Sequence, residues 1–121
     1  MAKYRNHICI MSEQNTAELL GALMPGSEKP KIHAIVSEKM KEKAAIFRAA
    51  CEAMGLKCEF YDLGTNDAAE VEKICEGIRA SVKYDNIAVN ITGGTKIMAL
   101  GAYGWAARNK IPAFYVDTAQ P

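Results

Sequence analysis

Five short apolar runs rich in β-branched residues recur along this chain, and the stretches between them carry helical rather than strand periodicity. The runs are HICIM (7–11), IHAIV (32–36), KCEFYD (57–62), NIAVNI (86–91) and PAFYV (112–116). A first helix is expected at 15–24, with Asn15 and Glu18 at the spacing of an N-cap pair and Pro25 and Gly26 as its stop. A second starts after Ser37 and stacks Met40, Ala44, Phe47, Cys51 and Met54 on one face before Gly55 ends it. A third follows Asn66 and Asp67 with the stripe Val71, Ile74, Ile78 and Val82. The fourth opens at Gly93 and Gly94 and runs to about Asn109.

Strict alternation of strand and helix restricts the chain to an α/β fold, because each helical crossover brings the next strand back parallel to the last. Strands 1 and 4 are apolar on both faces, as a sheet covered from both sides requires. The expectation is one Rossmann-like domain over residues 1–121: a mainly parallel five-stranded sheet with helices on both faces. A length of 121 residues suits one core, and no repeat, low-complexity stretch or linker marks a second domain.

If the strand order is 3-2-1-4-5, the winding reverses between strands 1 and 4, and a ligand crevice lies outside their carboxyl ends. Two loops meet there, SEQN (12–15) and TGGTK (92–96). The second lacks the spacing of a Walker A loop and of the dinucleotide fingerprint. It has instead two adjacent glycines, which permit close backbone approach, followed by a helix start that favours an anion. Gly94 and Thr95 offer backbone N–H groups, Thr92 and Thr95 hydroxyls, and Lys96 a point charge, all suited to phosphate. In the first loop Gln14 and Asn15 suit the edge of a base and Ser12 a phosphate or sugar oxygen, with Glu13 between them. Asn15 also serves as a helix cap on the alternative reading. Ser37 and Glu38, at the end of strand 2, are rim candidates or else a cap and a first-turn carboxylate.

The formal net charge of +1 argues against a surface that coats long nucleic acid while permitting a local basic pocket. A small anionic ligand fits better. The N-terminal MAKYRNHICIMSE has no apolar stretch of signal-peptide length, and no segment approaches a membrane span. Cys9, Cys51, Cys58 and Cys75 form no CxxC pair and fall inside apolar runs, as expected of buried thiols in a cytoplasmic protein. No metal cluster and no cofactor are expected. His7 and His33, at the starts of strands 1 and 2, lie away from the crevice and are read as structural. In helix 4, Ala99, Gly101, Ala102, Gly104, Ala106 and Ala107 permit close approach of another backbone, either the sheet or a symmetry partner, with Tyr103 and Trp105 as large apolar contacts.

NITGGTKIMALGA together with IMSEQNTAELL resembles the CARF domain, the CRISPR-associated Rossmann fold that senses cyclic oligoadenylates in type III CRISPR immunity. The likeness runs from strand 1 through IPAFYVDT (111–118). It implies a two-fold homodimer with a ring of four or six AMP units across its axis, four being favoured. Ring contacts then fall to Ser12, Gln14 and Asn15, and to Thr92, Gly93, Gly94, Thr95 and Lys96. Many relatives join such a sensor to an effector domain, and no effector follows strand 5 in this sequence. If the chain is complete, the resemblance implies a standalone, metal-independent ring nuclease, with Lys96, Thr95 and Ser12 as its catalytic residues, or a small binding protein. If it is a piece, it implies the sensor half of an effector.

Overall fold

Strand pairing follows the apolar runs closely. The computed structural model describes residues 4–11, 30–65, 67–82 and 86–115. Its strands are β1 (Asn6–Ile10), β2 (Lys31–Ser37), β3 (Cys58–Leu63), β4 (Ile87–Asn90) and β5 (Ala113–Phe114). They form one sheet in the order β3-β2-β1-β4-β5, and every neighbouring pair is parallel. The expected reversal of winding therefore lies between β1 and β4. Strand β5 comprises Ala113 and Phe114, which pair with β4; Pro112, with no N–H to give to a ladder, precedes it and accepts from the Val89 N–H.

The described helices are α1 (Ala44–Ala53), α2 (Ala68–Ser81) and α3 (Lys96–Arg108). The helix expected at 15–24 lies outside the described residues. The segment after Ser37 begins as a 3-10 stretch, Glu38–Lys43, before α1 continues it. Its sequence, EKMKEK, contributes one buried side chain, Met40, so little packing enforces α-helical pitch there. Asp67 caps α2 by accepting from the Ala69 N–H at 2.9 Å.

Alternate residues of β1 serve opposite layers. Ile8 and Ile10 pack with Val71, Cys75 and Ile78 of α2 and Met98, Ala102 and Trp105 of α3. Cys9 and Met11 face the other way, with Met40, Phe47 and Cys51. Each fully buried Ile or Phe contributes about 1.5–3 kcal/mol, and the two layers hold the strand ends in fixed positions. The four cysteines are free thiols, three buried and Cys58 half-buried; burial pushes the Cys75 thiol up to about 12.

Gly101 is where the small side of α3 is used. A Cβ there would lie 2.9 Å from the Ala68 carbonyl oxygen, so the backbone that approaches α3 at this position is that of α2. Trp105 is buried, and its Nε1 donates to Glu76 Oε1 at 3.0 Å; Tyr103 faces solvent.

Both histidines are buried near the amino ends of their strands. His33 donates from Nε2 to Asn6 Oδ1 at 2.9 Å, and its Nδ1 lies 2.9 Å from the Tyr61 hydroxyl, which Glu59 shares. His7 stacks edge-on to Phe114, and neither of its ring nitrogens has a partner among the described residues. Burial lowers both pKa values to about 4, with Lys31 adding to the effect at His33. Because the unfolded chain takes up these protons near 6.5, their contribution is complete above that pH and is lost as pH falls towards 4. His7→Leu removes one such site and one unpaired ring. It is expected to stabilise the protein by about 1–3 kcal/mol at pH 5 and by less at pH 7.5. Urea titrations at the two pH values check this; a variant less stable than the parent at pH 5 contradicts it.

Candidate functional site

The loop after β4 is built from the buried end of that strand. Asn90 is paired in register with Cys9 of β1, and its Oδ1 accepts from the Thr92 N–H at 3.0 Å, which turns the chain out of the sheet. Gly93 is buried beneath the turn. Gly94 has φ +82°, and a Cβ on it would lie 2.4 Å from Ile10 Cγ2. Glycine is needed here twice over, for the left-handed backbone and for the passage across the end of β1.

Thr95 then returns to extended geometry and caps α3, its Oγ1 accepting from the Met98 N–H at 3.3 Å. The hydroxyl that the sequence offers to phosphate is thus engaged as an acceptor. Lys96 opens the helix and is exposed, with no acidic residue in the first turn. First-turn N–H groups lack partners within the helix, so this end carries partial positive charge beside the Lys96 ammonium. Such an arrangement receives an anion.

Among the described residues, two adjoining cavities open at this edge. The inner, about 230 Å³, is bounded by Met11, Met40 and Gly94. The outer, about 250 Å³, is bounded by Glu38, Leu63, Gly64 and Thr65. Ser37, Lys39, Thr95 and Met98 line both. The structure therefore brings Ser37, Gly94 and Thr95 together, with Thr92, Gly93 and Lys96 in the same loop. Ser37 forms no side-chain cap hydrogen bond, contrary to the alternative reading of it as a helix cap. Ser12, Glu13, Gln14 and Asn15 lie outside the described residues; Met11, the residue before them, lines the inner cavity.

Sequence reasoning missed Lys39, Met98, Gly64 and Thr65. Lys39 sits in EKMKEK and reads as solvated helix surface, and Met98 reads as core. Gly64 and Thr65 follow β3 as an ordinary turn signal. Only the sheet order places the ends of β2 and β3 beside the start of α3. Among the described residues no group of three His, Cys, Asp or Glu side chains is placed to hold a metal ion, and no helix is long and apolar enough to cross a membrane.

The fold recurs in solved structures. The structure of Can2 from Sulfobacillus thermosulfidooxidans in complex with cyclic tetra-adenylate matches with a TM-score of 0.80 and 26% identity, covering 96% of this chain and 33% of that one. VC1899 from Vibrio cholerae matches with a TM-score of 0.78 at 14% identity, over 93% of this chain and 30% of that one. A type III CRISPR defence DNA nuclease activated by cyclic oligoadenylate matches with a TM-score of 0.71 at 22% identity, over 94% of this chain and 19% of that one. The last two likenesses concern the fold alone. This chain thus spans a third or less of each of these proteins. No curated protein sequence matches it significantly. The family model for the Card1 CARF domain matches residues 6–120, nearly the whole chain. With the strand order, the glycine pair lying on the end of β1 and this match all in agreement, the chain belongs to the Card1 CARF domain family.

Proposed function

We propose that two copies of this domain bind one cyclic oligoadenylate, with cyclic tetra-adenylate favoured, across a two-fold axis at the carboxyl edges of their sheets. The observation that carries this reading is the Gly94, Thr95 and Lys96 helix start, held on the end of β1 in a chain of the CARF family. A cyclic tetra-adenylate complex of the similar Can2 supports the choice of ring. The homodimer draws support from the outer face of α3, where Ile97, Leu100 and Tyr103 are 48%, 68% and 52% exposed at three-residue spacing. A two-fold partner that covers this stripe sets a second helix start beside the first, and each copy then holds half the phosphates. A cytoplasmic location fits this reading.

The same site is proposed to cleave the ring slowly and without metal. A ribose 2′-hydroxyl attacks the adjacent phosphorus in line and loses its proton. The 5′-oxygen departs and takes up a proton, leaving a 2′,3′-cyclic phosphate and a 5′-hydroxyl. Lys96, the Gly94 N–H and the Thr95 hydroxyl stabilise charge on the phosphoryl oxygens, and Ser12 positions the ribose. The second reading is a non-catalytic sensor within a longer effector. It is favoured by the share of Can2 and of the CRISPR nuclease, 33% and 19%, that the matched region represents.

Incubation with cyclic tetra-adenylate in EDTA, followed by chromatography, separates the two. Linear products with cyclic phosphate ends support the ring nuclease; tight binding with an intact ring supports the sensor. Lys96→Ala is expected to weaken binding about 10- to 100-fold, since a charge-assisted hydrogen bond is worth about 1.5–3 kcal/mol. Unchanged affinity in a folded Lys96→Ala variant removes this loop from the site.

A further inference from the structure

We infer that Cys51 and Cys58 form a reversible redox site, a thiol pair that hydrogen peroxide closes to a disulfide across the turn from α1 to β3. The pair lies at the amino end of β3, away from the cavities at the carboxyl ends, so the inference stands apart from the ligand reading. Helix α1 ends in a glycine-closed turn. The Leu56 N–H donates to the Cys51 carbonyl at 2.8 Å and the Gly55 N–H to the Glu52 carbonyl at 3.0 Å, with Gly55 at φ +73°. The chain thereby doubles back and lays β3 against the inward face of the helix. Phe47 and Cys51 are one turn apart on that face, and Cys58 and Phe60 are two residues apart on one face of the strand, so all four share a layer. They pair in two rungs. Phe47 meets Phe60 edge to face with ring centroids 6.1 Å apart, and nearer the bend the Cys51 and Cys58 thiols are hydrogen-bonded to each other.

The fold denies Cys58 its other partners. Cys9 lies on β1, two strands from β3, which sets its Cα about 9–10 Å from that strand, beyond the roughly 7 Å that a disulfide spans. Cys75 packs in the layer on the opposite face of the sheet. Access differs within the pair: Cys51 is fully buried and Cys58 half-buried, so an oxidant meets Cys58 first. The shared hydrogen bond lowers the Cys51 pKa and raises that of Cys58, and Arg48, stacked 4.5 Å over the Phe60 ring, favours the thiolate at both. Passing its proton along the hydrogen bond to the Cys51 thiolate, Cys58 attacks the peroxide. The O–O bond breaks, and the departing hydroxide takes a proton from solvent and leaves as water. Cys51 then attacks the sulfur of the Cys58 sulfenic acid; the S–S bond forms, the S–O bond breaks, and the Cys51 proton leaves with the hydroxide as a second water. Two thiols are oxidised by two electrons, and one peroxide is reduced to two waters. A dithiol reverses the step by exchange, becoming a disulfide itself.

The test exposes the folded chain to hydrogen peroxide, removes the peroxide, and labels free thiols with N-ethylmaleimide in urea before tryptic digestion. Each cysteine falls in its own tryptic peptide, Cys51 in 49–57 and Cys58 in 58–73. Two of the four thiols are expected to escape labelling, with peptides 49–57 and 58–73 joined, and dithiothreitol is expected to restore all four. Four labelled thiols after exposure, a link to the peptide of Cys9 or Cys75, or oxidation of Cys58 to a sulfinic acid with Cys51 still labelled overturns the inference. This measurement needs no variant to fold. Cys58→Ser, checked for folding by circular dichroism, is expected to keep its three remaining thiols labelled under the same exposure. Loss of label from Cys51 in that folded variant overturns Cys58 as the group that meets the oxidant.

Discussion

Gly94→Ala is expected to cost about 2–6 kcal/mol of folding stability and to abolish binding of a cyclic oligoadenylate. Two independent strains add. A non-glycine residue at φ +82° costs on the order of 1–3 kcal/mol. The new methyl group, 2.4 Å from Ile10 Cγ2, forces the loop off β1 or displaces a fully buried side chain, at a further cost of about 1–3 kcal/mol. Relief by lifting the loop moves the start of α3 and with it the anion seat, so affinity falls even where the fold survives. Gly77→Ala supplies the contrast. That glycine lies in the exposed face of α2 with nothing within 4 Å of its added Cβ, and alanine there is expected to stabilise by about 0.5–1 kcal/mol. Urea unfolding of both variants, with calorimetric titration of cyclic tetra-adenylate, compares them directly. A Gly94→Ala protein with parental stability and affinity refutes the account of this loop.

Gly101→Val is expected to destabilise by about 2–4 kcal/mol through a different route. Its Cβ meets the carbonyl oxygen and Cα of Ala68 at 2.9 and 3.0 Å, both backbone atoms of a helix start capped by Asp67. Neither atom moves without moving α2. The two helices are also joined along their length by Trp105 with Glu76, Arg79 with Asn109 at 2.7 Å and Arg108 with Glu72. Separating them at Gly101 therefore strains polar contacts further along. Gly101→Ala is the milder case, because the helix propensity gained, about 1 kcal/mol, offsets part of the clash. Since Thr95 and Met98 ride on the same helix, the valine variant is expected to lose ligand affinity as well as stability. Equal denaturation midpoints for the parent and Gly101→Val contradict the close packing of α2 on α3.

Much of the site was legible before any coordinates. The parallel α/β class followed from apolar runs and helical crossovers, and the order 3-2-1-4-5 supposed for it, which the sheet has, puts the glycine pair at the winding reversal. Gly94 could be singled out because adjacent glycines ahead of a helix have few other uses. Thr95 was expected to contact a ligand, whereas its role as the cap of α3 depends on how the helix starts, which spacing alone leaves open. Ser37 shows the opposite case: its place before a helical segment implies a cap, but the segment starts as a 3-10 stretch and the side chain makes no capping bond.

Residues 12–15 remain assigned to ligand contact by sequence pattern alone, while Ser37, Gly94 and Thr95 are joined in space by the fold. The distinction has a general physical basis. Hydrophobic period, β-branching and turn residues act over a few neighbours, so this sequence by itself determined the α/β class, the parallel direction of the strands and the glycine-dependent turn after β4. Tertiary structure decided which strand ends meet. The ends of β2 and β3 stand far from α3 in the chain, and only the packing of two helices on one face of the sheet brings Lys39, Leu63 and Thr65 beside Thr95 and Met98. Close approach of α2 and α3 at Gly101 belongs to that same long-range packing.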